Sequence, residues 1–263
     1  IGTNDKRSGR ILKNLYSPLI SKGASFLQTS RRAAELIKYA SNAFLATKIT
    51  FINEIANLCE KLEINVEDVS IGIGTDKRIG GRFLRAGPAY GGSCFPKDTR
   101  AIVDTAKKSK TSLSVINAVI NSNDKRSDLL LKRIALILNN KIKNKKITFL
   151  GVTFKANTDD MRESASLKMI PYLNKKGAKI RYYDPSGKKI EFNRLNNVEF
   201  KNNIKNACEF SDLIIVHTEW NEFKLIDLKK IVKKKNFIVY DMRNIYSPKK
   251  MKKENIKYFG LGR

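Results

Sequence analysis

The residues with the clearest capacity for chemistry lie between positions 91 and 98, in the run Gly-Gly-Ser-Cys-Phe-Pro-Lys-Asp. Ser93 can cap a helix and Pro96 fits a first helical turn, which would place Cys94 at a helix N-terminus. The helix dipole favours a thiolate over a thiol at that position. Asp98 follows four residues later and therefore shares the same helical face. The run suits covalent catalysis by a cysteine, and it equally suits a half-buried structural cysteine at a helix start.

A second candidate pair lies in a long helical pattern nearer the beginning of the chain. Lys38 and Asn42 are four residues apart, so they would share one helix face and could hold an oxyanion together. The alternative is a surface lysine whose aliphatic stem covers an apolar helix, which is the commoner situation. Spacing alone therefore favours the structural interpretation of this pair.

A glycine-rich basic loop over residues 72–90 leads into the cysteine run. Such a loop offers free backbone N–H groups and guanidinium groups, which can bind a diphosphate or sugar hydroxyls. The spacing of its glycines differs from that of a Walker phosphate loop. An ordinary flexible surface loop is the alternative.

The candidate residues need two kinds of supporting element. Apolar residues at helical spacing predict one long helix over 29–62 and a second over 112–138. The apolar stripe of the first helix is wide, which is typical of a helix inside a bundle or at a dimer interface. From residue 147 the period changes to that of strands alternating with helices, which favours a doubly wound parallel sheet. The predicted strands cover 147–154, 179–185, 213–218 and 237–241.

Three basic residues follow the predicted strands. Ligands of doubly wound sheets bind beyond the carboxyl ends of the strands, and Lys155, Arg162 and Arg243 all come after such ends. They could form an anion site, or they could be three solvated loop charges. No Gly-x-Gly-x-x-Gly motif accompanies these strands, so the sequence does not support a standard dinucleotide site in the sheet region.

The formal net charge of +27 raises the possibility of a nucleic-acid partner. Much of the charge comes from lysines in runs such as 139–146 and 233–235, and no zinc-finger, basic-zipper or RNA-binding signature accompanies them. We therefore favour lysines spread over solvated faces and expect no nucleic-acid partner. A positive field would still attract a small anionic substrate.

The remaining composition limits the class of protein. Three widely separated cysteines indicate a reducing compartment, and no apolar run approaches the ~20 residues of a membrane span. We expect a cytoplasmic protein without a membrane segment. His217 is the only histidine, which excludes a multi-histidine metal site, and we predict no metal. Its place at the end of a buried strand favours a structural role over that of a general base.

Several stretches together resemble the UDP-glucose 6-dehydrogenases of the UDP-glucose/GDP-mannose dehydrogenase superfamily. The resemblance spans nearly the whole chain, and the run from Gly91 to Asp98 is its most specific part, in the form of the UDP-glucose branch. The other matching stretches are 35–45, 51–60, the loop from Arg78, Phe154-Lys155, Arg162-Glu163-Ser164 and Thr218-Glu219-Trp220. The fold class implied is α/β, with a central all-helical dimerisation domain followed by a Rossmann-like doubly wound parallel sheet.

The resemblance implies an NAD-dependent, four-electron oxidation of UDP-glucose to UDP-glucuronate. Cys94 would attack an aldehyde to give a thiohemiacetal and then a thioester, which water releases as the acid. Lys38 and Asn42 would stabilise the oxyanion, and Asp98 would position or activate water.

The resemblance also implies the residues that contact ligands. Arg162 would lie near the cofactor, and Arg78 would reach the substrate from a neighbouring subunit of a homodimer or larger homo-oligomer formed through the 29–62 helix. The other expected substrate contacts come from the loop and from the sheet region, and they are Phe83, Leu84, Tyr90, Gly91, Phe154, Lys155 and Arg243.

One departure from the family pattern is large. The N-terminal Rossmann domain with its NAD fingerprint and catalytic glutamate is not among these residues. We therefore expect a fragment that is inactive alone, with 1–28 as the tail of a missing NAD-binding domain. Residues 29–125 would form the helical domain and 126–263 the UDP-sugar domain. The alternatives are a non-catalytic nucleotide-sugar-binding fragment and a dehydrogenase acting on another nucleotide sugar.

Overall fold

A computed structural model describes all residues from 1 to 263. The first part of the chain is helical, and its element bounds are α1 Lys6–Leu15, α2 Ser17–Ile20, α3 Arg31–Leu62, α4 Val66–Gly74, α5 Phe95–Lys108 and α6 Ser114–Ile137. Helix α6 runs unbroken through the predicted boundary between residues 125 and 126. That boundary is therefore not a linker, and α6 belongs to both regions of the chain.

The second part of the chain alternates strands and helices. Its bounds are β1 Lys146–Leu150, α7 Ser166–Lys175, β2 Lys179–Tyr183, β3 Val198–Phe200, α8 Ile204–Cys208, β4 Leu213–Val216, α9 Leu228–Ile231, β5 Ile238–Asp241, α10 Pro248–Lys253 and β6 Lys257–Gly260, with short 3₁₀ turns at Ile190–Phe192 and Asn221–Leu225. All six strands are parallel, in the order β3-β2-β1-β4-β5-β6. The predicted α/β class with a doubly wound parallel sheet is confirmed.

The strand order reverses direction between β1 and β4. In doubly wound sheets a ligand crevice opens at this switch point, outside the carboxyl ends of the strands. Hydrophobic clusters cover the two faces of the sheet, and each includes residues of the central strands, such as Phe149 on one face and Ile214 on the other. The sheet is thus a buried platform that holds the loops after β1, β4 and β5 in fixed positions.

Strand β1 is shorter than predicted. It ends at Leu150 rather than at residue 154, because Gly151 has a φ of +75° that leaves the extended region. A Cβ at Gly151 would lie 2.4 Å from the Cβ of Thr218, so the glycine lets the chain pass close to the end of β4. After this point the Asp184 carboxylate accepts hydrogen bonds from the backbone of Val152 and Thr153 instead of a neighbouring strand. The two edge strands β3 and β6 were not predicted, since they are short and only partly buried and so lack a continuous apolar run.

Helix α3 is the central element of the helical part. Ser30 caps it by accepting a hydrogen bond from the Ala33 N–H at 3.2 Å, and Glu63 ends it in the left-handed conformation. One face packs against α5 and α6 through the buried residues Ala43, Ala46 and Asn53, as expected from the wide apolar stripe. No helix in the structure combines the length and the apolar character needed to cross a membrane.

The last residues of the chain fasten the sheet region to the helices. The Glu60 carboxylate of α3 accepts a hydrogen bond from the Gly262 N–H at 2.8 Å and pairs with Arg133 of α6. The Val66 N–H donates to the Gly262 carbonyl at 2.8 Å. These contacts fix the helical part against the sheet on the side away from α5.

Candidate active site

Cys94 lies at the N-terminus of α5, where the sequence predicts it. The cap position is held by Cys94 itself rather than by Ser93, and no side chain caps this end of the helix. Ser93 Oγ lies 3.7 Å from Cys94 Sγ, which is the only polar side-chain contact of the thiol. Cys94 is exposed, whereas Cys59 and Cys208 are buried. Burial raises the pKa of both buried thiols, that of Cys208 to about 12, so Cys94 is the cysteine that an electrophile can reach.

Asp98 lies one helical turn after Cys94 and is almost fully buried. Its Oδ2 atom accepts hydrogen bonds from Lys38 Nζ at 2.9 Å and from Asn42 Nδ2 at 2.5 Å, and its Oδ1 atom is paired with Lys97. The two residues of the predicted oxyanion pair on α3 are therefore brought to the cysteine helix by one carboxylate. Each still has N–H groups that are not bound to Asp98.

The environment of Asp98 determines what this carboxyl group can do. Burial alone would raise its pKa, but hydrogen bonds from Lys97, Lys38 and Asn42 outweigh burial and lower the pKa to about 2. A group with so low a pKa is a weak base at neutral pH. Asp98 is thus better suited to hold Lys38 and Asn42 in position than to take a proton from water.

The segment before Cys94 is held by buried polar side chains of α3 and α6. The Gly87 N–H donates to Asn53 Oδ1 at 2.8 Å, and the Gly87 carbonyl accepts from Arg126 Nε at 3.0 Å. Three residues later, the Asn123 amide binds both the N–H and the carbonyl of Tyr90, at 2.9 and 3.2 Å. Two residues of the loop are therefore clamped on both backbone groups, which leaves little freedom to the turn that carries Cys94.

Arg126 is unusual because it is a buried cation without a carboxylate partner. Its other hydrogen bonds go to the Asn53 carbonyl at 3.1 Å and to Asn57 Oδ1 at 2.8 Å. Burial lowers its pKa to about 10, so the guanidinium stays charged at neutral pH. The sequence reasoning missed Asn53, Asn123 and Arg126. The one signal that could have identified them is Asn53, a polar residue on the apolar stripe of a helix.

The glycine pair connects the Cys94 turn to the loop after β1. Gly92 has a φ of +80°, and a Cβ there would lie 2.6 Å from the ring of Phe154. A Cβ at Gly91 would lie 2.5 Å from the carbonyl oxygen of Glu163. The Gly92 N–H also donates to the Arg162 carbonyl at 2.8 Å. Only glycines allow this approach, which places Cys94 beside the carboxyl edge of the sheet.

Of the three basic residues expected to form an anion site, Arg243 and Arg162 are hydrogen-bonded to protein groups, and Lys155 lies over an aromatic ring. Arg243 is mostly buried, and it donates from Nε to the His217 carbonyl at 2.8 Å and from Nη2 to the Phe154 carbonyl at 3.0 Å. Glu219 lies 2.9 Å from the same Nε as an ion pair without a good hydrogen-bond angle. Lys155 lies with its ammonium 5.3 Å from the ring centre of Phe154. Arg243 and Lys155 therefore both contact Phe154, the first at its carbonyl and the second over its ring.

Arg162 is exposed and forms two hydrogen bonds to Asp160, at 2.9 and 2.8 Å. These bonds raise its pKa. His217 is fully buried, and burial followed by the charge of Arg243 lowers its pKa to about 3. It is neutral at physiological pH and structural, as the sequence favours.

The loop residues divide into exposed and buried positions. Phe83 is 40% exposed, and its ring centre lies 6.1 Å from that of Phe95, the residue after Cys94. The side chains of Leu84 and Tyr90 are buried in the helical core, and their expected contact with a substrate stays a prediction. Arg78 pairs with Asp76 and contacts no other candidate residue of its own chain.

Comparison with known proteins gives two family matches that together cover most of the chain. Residues 32–125 match the central domain of the UDP-glucose/GDP-mannose dehydrogenase family, and residues 148–248 match its UDP-binding domain. The chain is 44% identical to a UDP-glucose 6-dehydrogenase of Rickettsia felis and 40% identical to one of Bacillus subtilis, with all of this chain covered in both. It spans 59% of the length of each of these relatives.

Solved structures give the same result. A UDP-glucose dehydrogenase from Pyrobaculum islandicum superposes with a TM-score of 0.86 at 29% identity, covering 99% of this chain and 57% of the other. An NDP-N-acetyl-D-galactosaminuronic acid dehydrogenase from Methanosarcina mazei gives a TM-score of 0.83 at 27% identity, covering 100% of this chain and 57% of the other.

The exposure of the cysteines predicts selective alkylation. We expect iodoacetamide to modify Cys94 in the folded protein, and to modify Cys59 and Cys208 only after unfolding, because burial keeps both as inaccessible thiols. Peptide mass spectrometry of briefly treated protein measures the three sites separately. Equal labelling of Cys94 and Cys208 under native conditions would contradict this assignment.

The clamp on Gly87 predicts a stability effect at Arg126. Arg126→Ala leaves the Gly87 carbonyl and the Asn57 amide oxygen without their donor, and we expect the free energy of unfolding to fall by about 2 kcal/mol. Lys132→Ala is the matched control, since Lys132 is an exposed cation on the same helix, and its effect is expected within about 0.5 kcal/mol. Guanidinium denaturation measures both, and equal effects would refute a special role for Arg126.

Proposed function

The chain belongs to the UDP-glucose/GDP-mannose dehydrogenase family, and we propose that its full-length protein oxidises UDP-glucose to UDP-glucuronate with NAD as the acceptor. The observation that supports this most directly is the position of Cys94. It is an exposed cysteine at a helix N-terminus, one turn from a buried carboxylate that holds a lysine and an amide. A nucleophile next to hydrogen-bond donors is the arrangement that acyl chemistry needs.

The proposed role of Cys94 is covalent. Its thiolate adds to the carbonyl carbon of the C6 aldehyde, so a C–S bond forms and the carbonyl electron pair moves to oxygen. The aldehyde comes from a first two-electron oxidation of the C6 alcohol, and a second two-electron oxidation converts the thiohemiacetal to a thioester, with NAD as the hydride acceptor in both. Attack by water then breaks the C–S bond, releasing the acid and the thiol. The exposure of Cys94 allows both the aldehyde and the water to approach it.

Lys38 and Asn42 are proposed to stabilise the oxyanion of this adduct. Each uses only part of its N–H donors on Asp98, so donors remain for an oxygen atom near Cys94. Asp98 acts as the positioning residue, since its low pKa and its three hydrogen bonds suit it to hold the two donors and not to accept a proton. A fixed donor pair loses little orientation energy when charge develops on the substrate.

The nucleotide-sugar site is proposed at the switch point of the sheet. Phe83 and Gly91 would line it from the helical side, and Phe154, Lys155 and Arg243 from the sheet side, with Arg78 contributed by a second subunit. In this assignment 29–125 carries catalysis and dimerisation, and 126–263 carries binding of the nucleotide. The ammonium group of Lys155 beside Phe154 has no carboxylate partner and suits a diphosphate, whereas Arg243 is paired with Glu219.

The residues present do not form a usual dinucleotide site. No glycine-rich turn leads from β1 directly into a helix, because α7 begins only at Ser166. The Ser164 and Ser166 hydroxyls donate to the Val152 carbonyl and stabilise the irregular segment between β1 and α7. In our proposal NAD therefore binds outside this chain's sheet, and Arg162 lies near it, since the Arg162 carbonyl accepts a hydrogen bond from Gly92, two residues before Cys94.

Helix α3 presents an apolar stripe to solvent that suits a homodimer. Ile37, Phe44, Phe51 and Leu58 recur at intervals of seven residues, and all four side chains are about half exposed or more. This stripe lies on the face of α3 opposite to the one that packs on α5 and α6. Exposed apolar rows of this kind mark interfaces between proteins. We propose that two copies pair through α3.

The catalytic assignment predicts that Cys94→Ala abolishes acid formation. In the full-length protein we expect UDP-glucuronate production to fall by about 10³-fold or more, because no other thiol can form the adduct. Cys59→Ala is the control and is expected to keep most of the activity. Product analysis by anion-exchange chromatography with UDP-glucose and UDP-N-acetylgalactosamine as alternative substrates gives the measurement. Normal turnover by Cys94→Ala would overturn the mechanism, and preference for the acetylated sugar would overturn the substrate.

The dimer assignment predicts that a charge on the stripe separates the subunits. Phe44→Glu combined with Phe51→Glu places two carboxylates in the proposed contact, and we expect a monomer by light scattering at micromolar concentration. Leu225→Glu is the control, since Leu225 is 89% exposed on a different surface and should leave the oligomer unchanged. A double variant of unchanged mass would exclude α3 as the interface.

A further inference from the structure

Two lysine runs that are far apart in the sequence meet at one place in the fold. The run at the start of β1 and the run before β5 both lie at the amino ends of the strands, where Asp212 directly precedes β4 between them. Together they line a cleft of 510 Å³ that contains Lys143, Lys145, Lys146, Lys233, Lys234 and Phe210. The proposed active site lies at the carboxyl ends of the same strands, so this cleft is at the opposite edge of the sheet.

The charge of the cleft is not compensated by its own residues. Asp212 is the only carboxylate among the lining residues, and it is shared by Lys145 and Lys234 and accepts a hydrogen bond from the Lys146 N–H at 2.8 Å. Lys233 pairs with Glu209 nearby. The ammonium groups of Lys143 and Lys146 have no carboxylate within 4 Å. Several ammonium groups thus face one small space and repel each other.

Two of these ammonium groups lie over the ring of Phe210. Its side chain is 41% exposed, and the Nζ atoms of Lys146 and Lys233 lie 5.3 and 5.4 Å from its ring centre. Such contacts are attractive because a cation interacts with the electron-rich face of an aromatic ring. The ring therefore limits the freedom of two long side chains, one from each run, before any ligand arrives.

We propose that this cleft binds a linear oligophosphate, a chain of three or more phosphoryl groups that is either free or part of a nucleoside triphosphate. Lysine ammonium groups bind phosphate as point charges, and a chain of phosphoryl groups can contact several of them at once. The five ammonium groups face only the two carboxylates of Asp212 and Glu209, so three positive charges remain in excess, and a single phosphate of about two negative charges would not balance them. The volume lies in the range of about 300–1,000 Å³ typical of small-ligand sites.

The arrangement of the lysines favours a small ligand over nucleic acid. Proteins that bind a nucleic-acid backbone place their cations along a face or groove that follows the strand. Here the lysines converge around one ring in a bounded cleft, with Asp212 and Glu209 beside them.

Calorimetric titration of the full-length protein with inorganic tripolyphosphate tests the proposal, and ATP and a single-stranded oligonucleotide serve as the other ligands. Lys143→Glu is the principal variant, because Lys143 is exposed and without a carboxylate partner, so its replacement should not disturb folding. We expect the Kd for tripolyphosphate to rise about tenfold. Phe210→Leu keeps an apolar side chain without the ring and is expected to raise it about threefold.

Lys235→Glu is the matched control. Lys235 follows Lys234 directly in the same run and is exposed, but it does not line the cleft, and its replacement changes the net charge by the same amount. We expect its Kd to stay within about twofold of the unmodified protein. Equal losses in both charge variants would overturn the proposal in favour of a general positive field. The absence of measurable binding would also overturn it, as would tighter binding of the oligonucleotide than of tripolyphosphate.

Discussion

The clamped segment from Gly87 to Gly92 is the constraint on which the rest of the candidate site depends. Asn53 from α3, Arg126 and Asn123 from α6, and the Arg162 carbonyl from the sheet region all bind its backbone. Without these bonds a loop of this length would be free to move relative to α3, and Cys94 would have no fixed relation to Lys38. The segment also joins the two parts of the molecule, because Phe154 packs directly on Gly92.

This constraint explains why a charged residue is buried without a carboxylate partner. An uncompensated guanidinium costs free energy of desolvation, which is recovered only in part by hydrogen bonds to neutral carbonyls. A carboxylate near Arg126 would compete for its N–H groups and weaken the hold on the Gly87 carbonyl. Because its partners are neutral oxygen atoms, the Arg126 guanidinium stays directed at the loop. The free energy lost by burying Arg126 is consistent with a functional need to fix the position of the Gly87–Gly92 segment.

Much of the fold could be predicted from the sequence because its signals are local. The apolar spacing of α3 and the runs of β1 and β4 depend on residues within a few turns of one another. The edge strands β3 and β6 could not be found, since they are only partly buried and lack the continuous apolar run that identifies β4 and β5. The site was predictable in its chemistry but not in its contacts. The meeting of Lys38 and Asn42 at Asp98, like the burial of Leu84, results from the packing of segments about 20 to 60 residues apart.

The charges around Cys94 combine into one electrostatic arrangement. Asp98 is a single negative charge that is buried and shared by Lys38 and Lys97, whereas both ammonium groups remain largely exposed. Arg162 on the sheet side is paired with Asp160, so this pair adds no net charge. The group formed by Asp98, Lys38 and Lys97 is net positive, and its carboxylate is buried. An oxygen that gains negative charge during reaction at Cys94 would meet oriented donors and no facing carboxylate, so the same packing that fixes the donors also sets the sign of the field.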